Sequence, residues 1–504
     1  MSTAVAVVEP RLSTSGVRLL RRVSSFPTML GSLLVLLSFV TVRARFNDPD
    51  MWWHLKTGEI IWTHHAILTT DLFSYTTNHH AWVPHEWLSQ VSIFAAYRLA
   101  GYSGLMGWLC VFSAALLLCS YALCTLTSKN AKVGFVGAML VWFFSTIGLA
   151  VRPQMIGYLL LIVELHVLEL GRTRTSRWFW LLPPLFAVWV NCHGSFFLGM
   201  LVAAVYFFCS FFGFEVGSLV SERWDSRRRV LLGAAVLVSG AALFLNPDGL
   251  KQVLYPLDTM FKQQVSLQIV EEWKPLQVGG ARGIGLLGVL GCIFLLVLVQ
   301  RCRLWLYELM LLGLGTWAAL SHERMLFVFG VLAAPILSRL LSPFWEGYKA
   351  AKDPFIANAI MVLLVLFGVY WTFPDRQNLE KQVREQNPIQ AVEFLKQRHF
   401  TGRILNDYGY GGYLIWAAPE IPVFVDGRGD VFEWTGVLAD YARWETLQED
   451  PNLVLDKYRV EVCLLPKGSP MVRLMGLLRG WRQVYSDDMS VIFARAGDGA
   501  LSAS

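Results

Sequence analysis

The run Asn47-Asp48-Pro49-Asp50-Met51-Trp52-Trp53-His54 follows the first strongly apolar segment of the chain, and Pro84-His85-Glu86-Trp87-Leu88 precedes the next. Between Asn47 and Trp87 lie six histidines and five tryptophans. A connection this long between two apolar runs is more than a passive link, because long loops in folded proteins tend to carry function. Carboxylates beside a bilayer are costly unless something pairs with them or uses them. The plainer alternative is a solvated loop whose tryptophans sit in the headgroup belt.

Working outward, the chain of 504 residues is 55% hydrophobic and only 16% charged, with a mean hydropathy of +0.47. That excludes an ordinary soluble globular protein. Apolar runs of about 17–25 residues, the length that crosses a hydrocarbon core, recur through the first three-quarters. The formal charge of +6 comes from Lys and Arg in short loops rather than from an aromatic-interleaved basic face, so no nucleic-acid partner is expected. Eight cysteines are scattered, without zinc spacing or a disulfide framework. Arg11, Arg18, Arg21 and Arg22 precede the apolar run Met29 to Val42. No small-residue cleavage site follows it, so a retained span is expected in preference to a signal peptide.

The expected fold class is a polytopic α-helical membrane protein of about eleven transmembrane helices with a small C-terminal α/β domain. The spans are placed at 28–43, 104–126, 132–150, 154–170, 178–190, 195–214, 230–245, 283–300, 304–320, 324–341 and 355–373. The domain reading is a cytoplasmic tail over 1–27, a membrane domain over 28–375 and an extracytoplasmic domain over 376–504. The first extracytoplasmic loop, 47–100, carries interfacial helices, one of them over 86–100 and ending at Gly101. Basic residues mark the N-terminus, Lys129/Lys132, Arg172/Arg174/Arg177, Arg223 to Arg229, Arg301/Arg303 and Lys349/Lys352. The positive-inside rule puts all of them in the cytoplasm, with Arg43 and Arg45 as exceptions. This orients the chain in a cell inner membrane, N-terminus inside and C-terminal domain outside.

The outer face then collects the unusual chemistry: the first loop, Arg152-Pro153-Gln154, Asn191-Cys192-His193-Gly194, Asn246-Pro247-Asp248-Gly249, Glu271-Glu272-Trp273 and His322-Glu323-Arg324. A partly desolvated carboxylate at Asp50, among Trp52, Trp53 and Trp87, has a raised pKa and makes a better general base. Asp48 is read as the cap of the helix that opens at Met51, with the exchange of the two roles as the alternative. Glu86 is read either as a partner of Asp50 around a divalent cation or as a helix-dipole residue. Arg152 and Arg324, at span boundaries, suit a phosphate clamp or snorkel to headgroups. His193 stands where broken backbone can line a cavity. For His54, packing is the default.

Beyond Asn378 the composition is that of a soluble domain. A helix is expected over 388–398, strands at 403–406, 423–425 and 462–465, and a closing hairpin of 481–485 with 490–494. Helical stretches are expected at 433–447 and 470–478. The turn Asp426-Gly427-Arg428-Gly429-Asp430 is either a phosphate cradle or an ordinary turn. The absence of a Walker lysine argues against a nucleotide.

One apolar span, then Pro49-Asp50, a long loop, and Pro84-His85-Glu86 before the second span resembles the GT-C glycosyltransferases, a superfamily that includes aminoarabinose transferases and protein O-mannosyltransferases. Asp48-Pro49-Asp50-Met51-Trp52-Trp53-His54, His85-Glu86-Trp87-Leu88, Arg152-Pro153-Gln154, Asn246-Pro247 and Asp426-Gly427-Arg428 also resemble a large group of bacterial membrane proteins placed near that superfamily. The resemblance implies a polyprenyl-phosphate-linked sugar as donor, an acceptor in the cell envelope (glycan, lipid or protein), and inversion at the anomeric carbon. It carries the catalytic carboxylate onto Asp50 and a supporting acidic role onto Glu86. Substrate contacts are expected at Asp48, Trp53, His54, His85, Arg152, His193, His322 and Arg324. A divalent cation, Mg or Mn, is the candidate cofactor, although Met51 replaces the second acid of the usual Asp-Glu pair. The competing readings are a transporter or flippase of a lipid-linked sugar, which should show inverted repeats, and a non-catalytic assembly protein.

Overall fold

The computed structural model describes residues 21–46, 48–77, 79–269 and 271–496. Arg11 and Arg18, with most of the expected N-terminal tail, lie outside the described residues, as do Asn47 and the side chain of Glu271.

The chain is mostly helical. Helix α1 (Phe26–Val42) opens on Ser25, whose hydroxyl accepts from the Thr28 amide. It is followed by α2 (Met51–His64) and α3 (Trp87–Ser128). Ala100 and Gly101 break α3, with Gly101 at φ 58°, a backbone region that glycine enters without a steric penalty. The break separates an arm that packs on α2 from a long apolar limb. Then come α4 (Ala131–Ser145), α5 (Gln154–Thr173), α6 (Leu182–Trp189), α7 (Phe196–Cys209) and α8 (Ser226–Ala242). They are followed by α9 (Leu250–Lys262), α10 (Gln264–Ile269), α11 (Ala281–Leu298), α12 (Leu306–Ser321), α13 (Leu326–Leu341) and α14 (Phe355–Trp371).

Among the described residues, four stretches are long and apolar enough to cross a membrane: Trp87–Ser128, Gln154–Thr173, Ala281–Leu298 and Glu323–Phe344. A bent pair, Phe355–Trp371 with Arg376–Arg384, brings the number up to 5. Phe26–Val42, Ala131–Ser145, Phe196–Cys209 and Leu306–Ser321 are apolar but shorter. Several expected spans differ in their bounds. The segment at 132–150 stops being helical after Ser145. That at 178–190 is a 3-10 turn, Ser176–Leu181, running into the short α6. That at 195–214 ends at Cys209, before a small sheet of strands β1 (Phe214–Val216), β2 (Leu219–Ser221) and β3 (Leu304–Trp305).

Two ends of the bundle are distinct. At one, the Phe26 amide donates to Asp353, Asn130 donates to the Trp345 carbonyl, and Arg339 grips Glu308. At the other, Trp87 donates to Asn191, Gln252 donates to the Val190 carbonyl at 2.6 Å, and Gln382 donates to the Arg43 carbonyl. The connections that hold the first loop, Arg152, His193, Glu272 and Arg324 meet at this second end, because short antiparallel helices return each connection to the same face.

After α14 come α15 (Arg376–Arg384), α16 (Ile389–Gln397) and a four-stranded sheet. Its strands are β4 (Ile404–Asn406), β5 (Val462–Pro466), β6 (Trp481–Ser486) and β7 (Ser490–Arg495), in the order β4-β5-β7-β6. β4 and β5 run parallel and the other pairs antiparallel. Helices α17 (Tyr408–Ala417), α18 (Gly429–Trp434) and α19 (Val437–Glu445) accompany it. The helix expected over 433–447 is thus two helices, parted at Gly436 with φ 76°.

The strand expected at 423–425 is absent. Val423 pairs instead with Ser74 of the first loop. The Val423 amide donates to the Phe73 carbonyl at 2.9 Å, and the Thr76 hydroxyl donates to the Phe424 carbonyl at 2.7 Å. A buried apolar run fits a sheet interior or a segment that pairs elsewhere, and here the partner lies in the first loop.

The same interface holds an ion triad. Arg428 donates to both oxygens of Asp426, at 2.8 and 2.6 Å, and to Asp71 at 2.5 Å, with all three side chains fully buried. The guanidinium lies 4.8 Å from the ring centres of both Phe73 and Trp82. Burial works against the charges, yet Asp426 and Asp71 hold Arg428 above its usual range. Arg428, with hydroxyls from Ser74 and Thr77, in turn keeps Asp71 below the ordinary carboxylate range despite burial. The turn 426–430 is therefore a docking element, and Arg428 has no donor face left for a phosphate.

Candidate functional site

Helix α2 starts at Met51 with Asp50 in the capping position, but the Asp50 carboxylate makes no cap bond. Asp48 takes the amide of Asp50 on Oδ1 at 2.9 Å. The expected division, with Asp48 capping Met51, is thus altered: Asp48 orders the turn one residue earlier and uses its other oxygen on Arg152. The Asp50 side chain is left to point away from the helix. Its Oδ1 accepts from the Trp53 indole at 3.3 Å, one helical turn on.

Arg152 joins three acids. Its Nε is 2.5 Å from Asp48, Nη2 is 3.1 Å from Asp50, and Nη1 is 3.3 Å from Glu272. Glu272 also faces Arg324, whose Nη1 stands at 3.7 Å. Arg324 donates to the side-chain amide oxygen of Gln154 at 2.5 Å and lies 5.2 Å over the Trp273 ring. Asp50, Arg152, Glu272 and Arg324 therefore form one chain of alternating charge, built from four connections. Burial lifts the Asp50 carboxyl to about 6, against the opposing pull of Arg152. Burial disfavours the Arg152 charge, but Asp48, Asp50 and Glu272 hold it well above the ordinary arginine range.

The C-terminal domain seats directly on this chain. A Cβ at Gly427 would fall 1.8 Å from Asp50 Oδ1 and 3.1 Å from the Trp53 indole nitrogen, and one at Gly412 would fall 2.3 Å from the Pro49 carbonyl. Only glycine admits so close an approach.

Glu86 belongs to an adjacent cluster. His193 Nε2 is 3.5 Å and His85 Nε2 3.7 Å from its Oε1, and His54 Nδ1 is 3.9 Å from its Oε2. Burial keeps all three imidazoles below their usual range, His85 at about 4, so they are neutral near pH 7. Burial also pushes the Glu86 carboxyl up to about 8, with Asp430 and Asp50 adding to the rise and Arg324 opposing it. Glu86 is thus a neutral acid among neutral imidazoles. His85 stacks on Tyr255 of α9 at 3.7 Å, His54 meets the Gln90 amide at 3.2 Å, and His193 meets the Ser195 hydroxyl at 2.8 Å.

Of the expected site residues, Asp48, Asp50, Trp53, Arg152 and Arg324 stand in the charged chain, and Glu86, His54, His85 and His193 stand beside it. His322 joins neither: its Nδ1 meets the Trp273 carbonyl at 2.7 Å, which holds the ring under Arg324. Asn246 closes its own turn, accepting from the Asp248 amide at 2.9 Å. Sequence reasoning passed over Asp71 and Tyr255, and named Asp430 only as part of the turn 426–430. Asp430, whose carboxyl burial lifts to about 6, faces Tyr255 and Glu86, and nothing in its local sequence reveals that.

Among the described residues, no group of three or more His, Cys, Asp or Glu is arranged to hold a metal ion. Asp48, Asp50 and Glu272 face Arg152 instead, and Glu86 stands apart among three imidazoles.

No family model matches the chain, and no curated protein matches it. Solved structures do. The oligosaccharyltransferase of Archaeoglobus fulgidus, tethered to an acceptor peptide, superimposes at TM-score 0.54 with 12% identity, over 86% of this chain and 69% of its own. The same enzyme with an inhibitory peptide and dolichol-phosphate gives TM-score 0.52, again at 12% identity, 86% and 69%. The chain thus shares its fold with this oligosaccharyltransferase.

Proposed function

We propose that this polytopic membrane protein is a glycosyltransferase that moves a sugar from a polyprenyl-phosphate donor to an extracytoplasmic acceptor hydroxyl, with inversion and with Asp50 as general base. The observation that carries the proposal is the charged chain Asp50–Arg152–Glu272–Arg324 at one end of the bundle. In this reading Asp50 is the base and Arg324 the phosphate-binding cation, at the two ends of the Arg152–Glu272 pair. The oligosaccharyltransferase of the same fold holds a dolichol-phosphate, and the chemistry proposed here uses a lipid phosphate of that kind.

In the reaction, the acceptor hydroxyl gives its proton to the Asp50 carboxylate while its oxygen bonds to the anomeric carbon. The bond from that carbon to the phosphate oxygen breaks, and its electron pair leaves with the lipid phosphate. A carboxylate whose pKa lies near 6 is charged at neutral pH and basic enough to assist. The developing negative charge calls for a preorganised cation. Arg152 already faces three carboxylates, so this role falls to Arg324, held loosely by Glu272 at 3.7 Å and backed by Trp273.

The test supplies purified protein with a radiolabelled polyprenyl-phosphate sugar and follows label into an acceptor fraction. Transfer that is lost in Asp50→Asn, at unchanged expression and membrane insertion, supports the assignment. Movement of the intact sugar lipid across a vesicle, with no bond broken, would overturn it in favour of a flippase.

A further inference from the structure

Asp48, Asp50 and Glu272 bring carboxylates from two connections to one point, as oxygen ligands converge on a hard divalent cation. Here that point is filled. The three edges of the Arg152 guanidinium face the three acids, at 2.5, 3.1 and 3.3 Å. A guanidinium keeps its charge at every accessible pH and presents its donors in a fixed plane.

Resting on the function proposed above, we infer that Arg152 is the resident cation of this site and that the protein binds no divalent ion there. Arg152 offsets the three acids, keeps Asp50 oriented, and leaves Arg324 to meet the phosphate. The Arg152 side chain is only 13% exposed, so a metal would have to break three ion pairs to enter. Met51, in the position of the missing second acid, is 1% exposed and packs in the apolar core, so it offers no oxygen to compensate. The histidines are no substitute, since they surround the Glu86 carboxyl at 3.5 to 3.9 Å rather than a common centre. A second guanidinium, Arg324, also faces Glu272 and adds to the positive charge an entering metal would meet.

Mn2+ serves as the probe, because its paramagnetic resonance distinguishes free from bound ion without reference to activity. Full-length wild-type protein mixed with equimolar Mn2+ is expected to leave all of it free. Arg152→Gln, which releases the acids, is expected to bind one Mn2+ per chain, and Arg152→Gln with Asp48→Asn to lose it again. Should Arg152→Gln fail to fold, as judged by size exclusion, Arg152→Lys is the substitute and is expected to bind none. Bound Mn2+ on the wild type that disappears in Asp50→Asn would overturn the inference, as would a folded Arg152→Gln protein that takes up none. Sugar transfer is expected to persist in EDTA. A wild type that binds no Mn2+ and transfers no sugar would support the inference while sinking the proposed reaction, so the two failures are distinguishable.

Discussion

At the scale of the residue, the proposed chemistry turns on two carboxyls with different protonation. Asp50 acts as a base only when ionised, so the transfer rate rises as pH passes through about 6. If the neutral form of Glu86 is the working one, the rate falls above about 8, which gives a bell-shaped profile. A pH–rate series on wild type tests both limbs, and a rate that is flat between 5 and 9 would rule the assignment out. Arg324→Gln removes the phosphate cation and is expected to lower kcat by about 10²–10³-fold, the usual cost of deleting one transition-state donor. The Glu86 pKa also bears on stability. A carboxyl raised from 4.5 to about 8 in the folded state favours folding fully below 4.5, and that contribution is lost as pH rises through 8. Glu86→Gln is expected to flatten this dependence in tryptophan-fluorescence melts in detergent. Much of this level was legible in the sequence, since Asp48, Asp50, Arg152 and Arg324 are charges at the edges of apolar runs. Asp71 was not, because its partner Arg428 lies 357 positions away and neither residue has a local reason to be buried.

At the scale of the element, the turn 426–430 fixes the working loop. Gly427→Ala puts a methyl where Asp50 Oδ1 now stands, so either the carboxylate or the turn must shift. Misplacing a reacting group by about 1 Å costs on the order of 10²-fold in rate. The loss is expected in kcat, with KM for the donor lipid little changed, because Arg324 is untouched. Gly468→Ala is the control, since nothing lies within 4 Å of the added atom. Equal rates in the two variants would remove Gly427 from the mechanism. The break at Gly101 was readable in advance, as a glycine between an amphipathic arm and an apolar limb. The extended segment at 423–425 was not. Its apolar pattern specifies burial, but only the tertiary fold makes Ser74 its partner in place of a strand of its own sheet.

At the scale of the whole molecule, the membrane domain and the C-terminal domain meet through the Arg428 triad. Hydropathy and the clustering of basic loops pointed to a polytopic chain with its polar connections on one face. They carried no information about how a tail that begins after residue 373 returns to that face. A buried charge stripped of its partner costs about 3–5 kcal/mol, and Asp71, Asp426 and Arg428 are all fully enclosed. Arg428→Met leaves two such carboxylates unpaired and removes the cation held between Phe73 and Trp82. The domain is then expected to separate from the first loop, which limited proteolysis reads as faster release of a C-terminal fragment. Transfer should fall at the same time, although Arg428 reaches no reacting atom, because Gly427 no longer bears on Asp50. The double variant Asp71→Asn with Arg428→Met discharges one of the two stranded acids and should recover part of the proteolytic resistance but little of the rate. Arg428→Met protein that resists protease and transfers sugar as well as wild type would mean that the two domains work independently.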